Sequence, residues 1–113
     1  MSSHLPTPDR TAERALDAAR PLLLDSGNPA FVAVAVPHEG RPVLAPMVVA
    51  NAPAATRGAT VLGDQVPGST VVVVGCARQG SHLRFTVRDT RGDALRLDRL
   101  EERERPIGEM PLV

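Results

Sequence analysis

The chain has 113 residues, 42% of them hydrophobic and 23% charged, which fits one globular domain and excludes the low-hydropathy, high-charge regime of disordered chains. Thirteen basic residues balance thirteen acidic ones, so no net field draws the molecule to nucleic acid or an anionic membrane. Every basic residue is arginine; without lysine the chain has no Schiff-base amine and no P-loop lysine.

Residues 1–8 hold Ser, Thr and two prolines without periodicity and read as a flexible leader lacking the cationic start and apolar run of a signal peptide. Residues 9–105 read as the single domain. From Asp9 onward Ala12, Ala15, Leu16 and Ala19 recur at helical spacing, with Thr7 and Pro8 offering a cap and a first-turn proline. Pro21 should stop or kink this helix at Arg20, ahead of Leu22–Leu24 and the turn at 25–29.

The run 30–36 is apolar throughout and predicts a buried strand; 43–50 predicts a second, forming a hairpin across the Pro37-His38-Glu39-Gly40 turn. Pro46 cannot donate to a ladder, which places this second strand at an edge or makes it bulge. The stretch 51–58 reads as an Ala/Pro/Thr loop and 59–62 as a short third strand. Residues 69–77, with Val71 to Val74, are apolar on both faces and predict a central strand.

After a turn at Gln79-Gly80-Ser81 the pattern alternates strictly, Leu83, Phe85 and Val87 against His82, Arg84, Thr86 and Arg88, so one face is wet. Leu95 and Leu97 mark the last strand, and the charge-dense stretch 99–105 reads as a short terminal helix or as coil. The tail 106–113 turns apolar at Ile107, Met110, Leu112 and Val113 and is expected to dock. The expected fold class is therefore α+β, mostly β: one N-terminal helix plus five or six antiparallel strands in a small barrel-like or half-barrel sheet. One helix covers only part of one sheet face, so closure of the sheet or pairing with a second copy is expected to cover the rest.

Candidate chemistry is sparse. Cys76 is the single cysteine, and His82 is the one base that a turn brings near it; only a three-residue loop centred on Gln79 would set the two opposite each other. His4, His38 and His82 lie far apart and form no metal-ligand spacing, so no metal site is expected. The carboxylates Asp89, Asp93, Glu101 and Glu102 are interleaved with arginines and read as a solvated, salt-bridged face, and no catalytic residue is assigned. Arg84, Arg88 and Arg96, with His82, form a candidate interaction face on the last strands, and the run 68–97 resembles the opening three strands of an oligonucleotide-binding barrel. Missing aromatics and zero net charge weigh against nucleic acid as the partner.

The order of helix, turn and residues 31–36, followed by His38-Glu39-Gly40-Arg41-Pro42-Val43-Leu44-Ala45-Pro46-Met47, resembles the opening of the flavin-binding split-barrel family related to pyridoxamine-phosphate oxidases. That resemblance implies a dimer holding flavin near the subunit interface. The sequence departs from the family at 63–68, too short for the phosphate-contacting helix, and only Arg57 and Thr60 supply polar groups there; no cofactor residue is carried over. The expected function is a non-enzymatic binding or protein-interaction module, homodimeric and cytoplasmic, without cofactor or membrane attachment. The alternatives are a flavin-type split-barrel cofactor binder or oxidoreductase and a nucleic-acid-binding small barrel.

Overall fold

The computed structural model describes residues 9–91 and 94–102. The chain is α+β and mostly β, with helix α1 (Arg10–Leu24), strands β1 (Ala30–Val36) and β2 (Val43–Leu44), helix α2 (Ala52–Gln65), and strands β3 (Thr70–Gln79), β4 (His82–Asp89) and β5 (Leu95–Glu102). The strands form one antiparallel sheet in the order β2-β1-β3-β4-β5. This sheet stays open, so the expected barrel closure is not made.

Helix α1 is capped by Asp9, whose carboxylate accepts from the Ala12 N–H at 3.1 Å. The expected cap at Thr7 and Pro8 falls on residues outside those described. Of the stop or kink expected at Pro21, the stop is not made, because the helix runs on to Leu24. Pro21 lies on the exposed side, while Arg20 before it and Leu23 after it are both anchored on the sheet, and that anchoring outweighs the one missing backbone donor.

Cross-strand partners share a face, so the register sorts the side chains into two layers. On one face Val32 and Val34 of β1, Val72, Val74 and Cys76 of β3, and Phe85 and Val87 of β4 are buried against Ala12, Ala15, Leu16, Ala19 and Leu23 of α1. The opposite face carries Ala33 and Ala35, Val71 and Val73, and then Arg84, Thr86 and Arg88.

Helix α2 covers the β1–β3 part of that second face and is the largest departure from the sequence reading, which placed a loop and a short strand there. Asn51 caps it by accepting from the Ala54 N–H at 2.9 Å, Pro53 sits in the first turn, and Ala55, Ala59 and Leu62 are buried. The helix packs on the sheet through small residues, and a Cβ on Gly63 would stand in ordinary contact, 3.5 Å from Cγ2 of Val71. The second helix supplies much of the cover that closure or a second copy was expected to provide.

Strand β2 lies at an edge and the chain bulges at Pro46, so both outcomes that its missing donor allows are found. Its regular pairing, Val34 with Leu44 and Ala35 with Val43, breaks after the Ala45 N–H bonds the Ala33 carbonyl at 2.9 Å. Pairing resumes as a bridge between Phe31 and Val49. Partner numbers sum to 78 before the break and 80 after it, so two extra residues bulge out around Pro46. The hairpin above is held from α1, where Arg14 donates to the carbonyls of Pro37 (3.0 Å) and Gly40.

Strand β5 forms the other edge and extends through Glu102, so the terminal helix expected from residue 99 is not formed over Arg99–Glu102; residues 103–105 lie outside the described chain. Arg96 is an extra residue in this strand, since Val87 pairs with Leu97 but Arg88 with Leu95. Among the described residues, three ion pairs tie β5 or its flank to α1: Arg96 with Asp9, Arg20 with Glu101, and the more distant Arg99 with Glu13.

Candidate functional site

The turn between β3 and β4 is a two-residue turn, Gly80-Ser81, with Gln79 opposite His82 and Gly80 at φ 63°. That register puts Cys76 opposite Phe85 on the α1 face and His82 on the other face, so no cysteine-histidine pair forms. Cys76 is 2% exposed, and its thiol makes a long contact of 3.8 Å to Oδ1 of Asn28. Burial, and then the nearby Glu101 carboxylate, push the thiol pKa up, with Arg20 opposing. The thiolate that nucleophilic chemistry needs is disfavoured.

Of the four candidate interaction residues, His82, Arg84 and Arg88 do share the face left by α2. His82 lies beside Ser81, whose Oγ is 3.3 Å from Nδ1. Arg84 grips Asp98 across β5, with Nε 2.8 Å from Oδ1, and this hydrogen bond lowers the Asp98 pKa; the charge of Arg88 acts in the same direction. Arg96 does not belong to this face. As the bulge residue it turns back to α1, where Nε and Nη2 donate to Asp9 at 2.7 and 3.1 Å. Burial alone would raise the Asp9 pKa, but the bonds from Arg96 and the Ala12 N–H outweigh it and the value falls. The expected arginine stripe is thus divided between two faces, with two of its charges committed to aspartates.

The remaining candidates Ile107, Met110, Leu112 and Val113 lie outside the described residues. Among the described residues, no three His, Cys, Asp or Glu side chains cluster as a metal site, and no helix is long and apolar enough to cross a membrane.

Two surface features escape the sequence reading because both depend on α2 or on sheet order. A polar cleft of about 660 Å³ opens between α2 and the β4–β5 turn, lined by Thr56, Thr60, Asp64, Thr70, Asp89 and Arg91. Its hydroxyls and mixed charges suit hydration or a polar contact, and no polar side chain among the described residues is buried in it. A groove of about 400 Å³ beside it runs over Pro53, Val73 and Arg88.

The second feature is the contrast between the two sheet edges. The β2 edge is two residues long, bulged and interrupted by Pro46, all devices that block strand addition. The β5 edge is eight residues long, and Leu95 and Leu100 on it are 47% and 53% exposed. Its backbone phase follows from two observations. The Asp89 N–H donates toward β5, to the Ala94 carbonyl at 2.9 Å, and the Gln79–His82 pair closes a two-residue turn, so even-numbered residues of β4 bond β3 and odd-numbered ones bond β5. Arg99 and Glu101, opposite Phe85 and Leu83, therefore bond β4, while Asp98, Leu100 and Glu102 turn their N–H and C=O groups outward. Among the described residues no strand pairs with that edge.

No protein-family model matches this chain, and no curated protein or solved structure matches it.

Proposed function

We propose that this protein is a non-enzymatic interaction module that homodimerises by strand addition at β5. The observation that carries the reading is the asymmetry of the sheet edges, one blunted by Pro46 and its bulge and the other long and regular from Leu97 to Glu102. Backbone groups left without partners at such an edge bond either water or another strand, and exposed leucines along it favour the second. Cys76 and His82 lie on opposite faces of the sheet and Arg84 and Arg96 are committed to aspartates, which directs attention to the edge.

Light scattering at micromolar concentration should give the dimer mass. Leu100→Pro removes an N–H that points away from β4, so the variant should keep its far-ultraviolet circular dichroism and fall to the monomer mass. A monomeric parent protein, or a Leu100→Pro variant that stays fully dimeric, overturns the reading.

A further inference from the structure

The charge order along β5 is specific enough to select a register for the second copy, and this inference rests on the proposed strand addition. Two antiparallel copies of one edge strand are related by a twofold axis perpendicular to the sheet, so one residue must lie opposite itself. The axis at Asp98, Arg99, Glu101 or Glu102 sets identical charges face to face, which destabilises a cross-strand pair. The axis at Leu97 opposes Asp98 to Arg96, but Arg96 is the bulge residue and is turned to Asp9 on the other side of the sheet.

An axis at Leu95 or Arg96 sits at the start of β5 and would pair no more than residues 95–97 of the strand with their copies, which leaves Leu100. We infer that the partner of β5 is a second copy of β5 centred on Leu100, giving a continuous ten-stranded sheet with the two α1 helices on one face and the two α2 helices on the other. In this register Leu100 meets Leu100 on the exposed face, and each exchanges its outward N–H and C=O with the other. On the α1 face Arg99 of each copy lies opposite Glu101 of the other, giving two attractive pairs. By the same symmetry Asp98 faces Glu102 twice, and in each pair the Arg84 guanidinium already bound to Asp98 offsets the repulsion. The β2 edges, blunted by Pro46, become the two ends of the assembly, so addition stops at two copies.

The register is read by placing a single nitroxide label at residue 100, 98 or 95, using Leu100→Cys, Asp98→Cys and Leu95→Cys with Cys76→Ala, each checked for folding by circular dichroism. Equivalent residues are offset along the strand by twice their distance from the axis. The backbone separations between copies should therefore be about 5.5 Å at 100, roughly 14 Å at 98 and roughly 34 Å at 95. Spin-spin coupling that weakens in the order 100, 98, 95 supports the Leu100 axis. Equal coupling at 98 and 100, which marks an axis at Arg99, or strongest coupling at 95, overturns the register while the dimer itself stands. No coupling at any position together with a monomer mass removes the strand-addition reading on which the register rests.

Discussion

Gly75 lies mid-strand on β3, where the side-chain space over it is filled by a neighbour. A Cβ built on this residue would stand 2.7 Å from two ring carbons of Phe31, its cross-strand partner on β1, and 3.1 Å from Oγ1 of Thr86 on β4. Carbon atoms prefer roughly 3.5–4.0 Å, so in Gly75→Ala the ring must retreat by about 0.8 Å or more and lose contact with the sheet. Overpacking of this kind costs about 1–3 kcal/mol. Against it, alanine restricts the unfolded chain more than glycine does, a gain of about 0.4–1 kcal/mol. The net expectation is a loss of about 1–2 kcal/mol, or a fall in Tm of roughly 5–12 °C for a domain of this size. With no Trp or Tyr in the chain, far-ultraviolet circular dichroism in heat and urea is the suitable assay. Phe31→Leu introduced into Gly75→Ala should recover part of the loss by vacating the space. An alanine variant as stable as the parent protein would show that the ring does not fill this space, and the reasoning would fail.

Glu101→Gln should cost about 1 kcal/mol near neutral pH, since it breaks a two-point contact with Arg20 in which Nη2 lies 2.9 Å from Oε2. The Arg20 hydrogen bond lowers the Glu101 pKa despite opposing burial, so the stabilisation is present above the ordinary value of 4.5 and is lost as pH falls through the lower folded value. Urea titrations from pH 7 downward should show a steeper acid loss in the parent than in Glu101→Gln, and parallel curves would sink the assignment. Pro21→Ala restores a donor inside α1 and should raise stability by about 1 kcal/mol after the stiffening that proline gives the unfolded chain is subtracted; a lower Tm would contradict a helix continuous to Leu24. Cys76 should resist a thiol-specific chromogenic reagent in the native protein and react only at the rate of opening, whereas prompt labelling would place it on the surface.

The sequence announces β1, β3 and β4 plainly, because seven apolar residues in a row, a four-valine run and a strict alternation at 82–88 each have one structural solution. Pro46 likewise gives away its edge position, since a missing N–H is a local fact with a local consequence. Helix α2 is the chief loss, although Asn51-Ala52-Pro53 is a helix start and Ala55, Ala59 and Leu62 keep helical spacing. Alanine, glycine and threonine carry too little apolar contrast for that period to stand out from a loop. The misplacement of Arg96 has a different origin: alternation counts residues, and a bulge inserts one without leaving a mark in the sequence. The pairing of β1 with β3, and with it the identity of β5 as the open edge, depends on contacts between residues far apart in the chain and was not legible.

The ion pairs between α1 and the last strand join residues 81 to 87 positions apart. During synthesis α1 emerges first, yet the strand that supplies Glu101 and Arg96 is made after every other described element. The helix lays its apolar stripe on β1, β3 and β4, but the charged contacts that pin it wait until β5 is made. Such non-local closure predicts slow folding for so small a chain, and a nascent chain stalled before residue 95 would lack the charges that pin its own N-terminal helix.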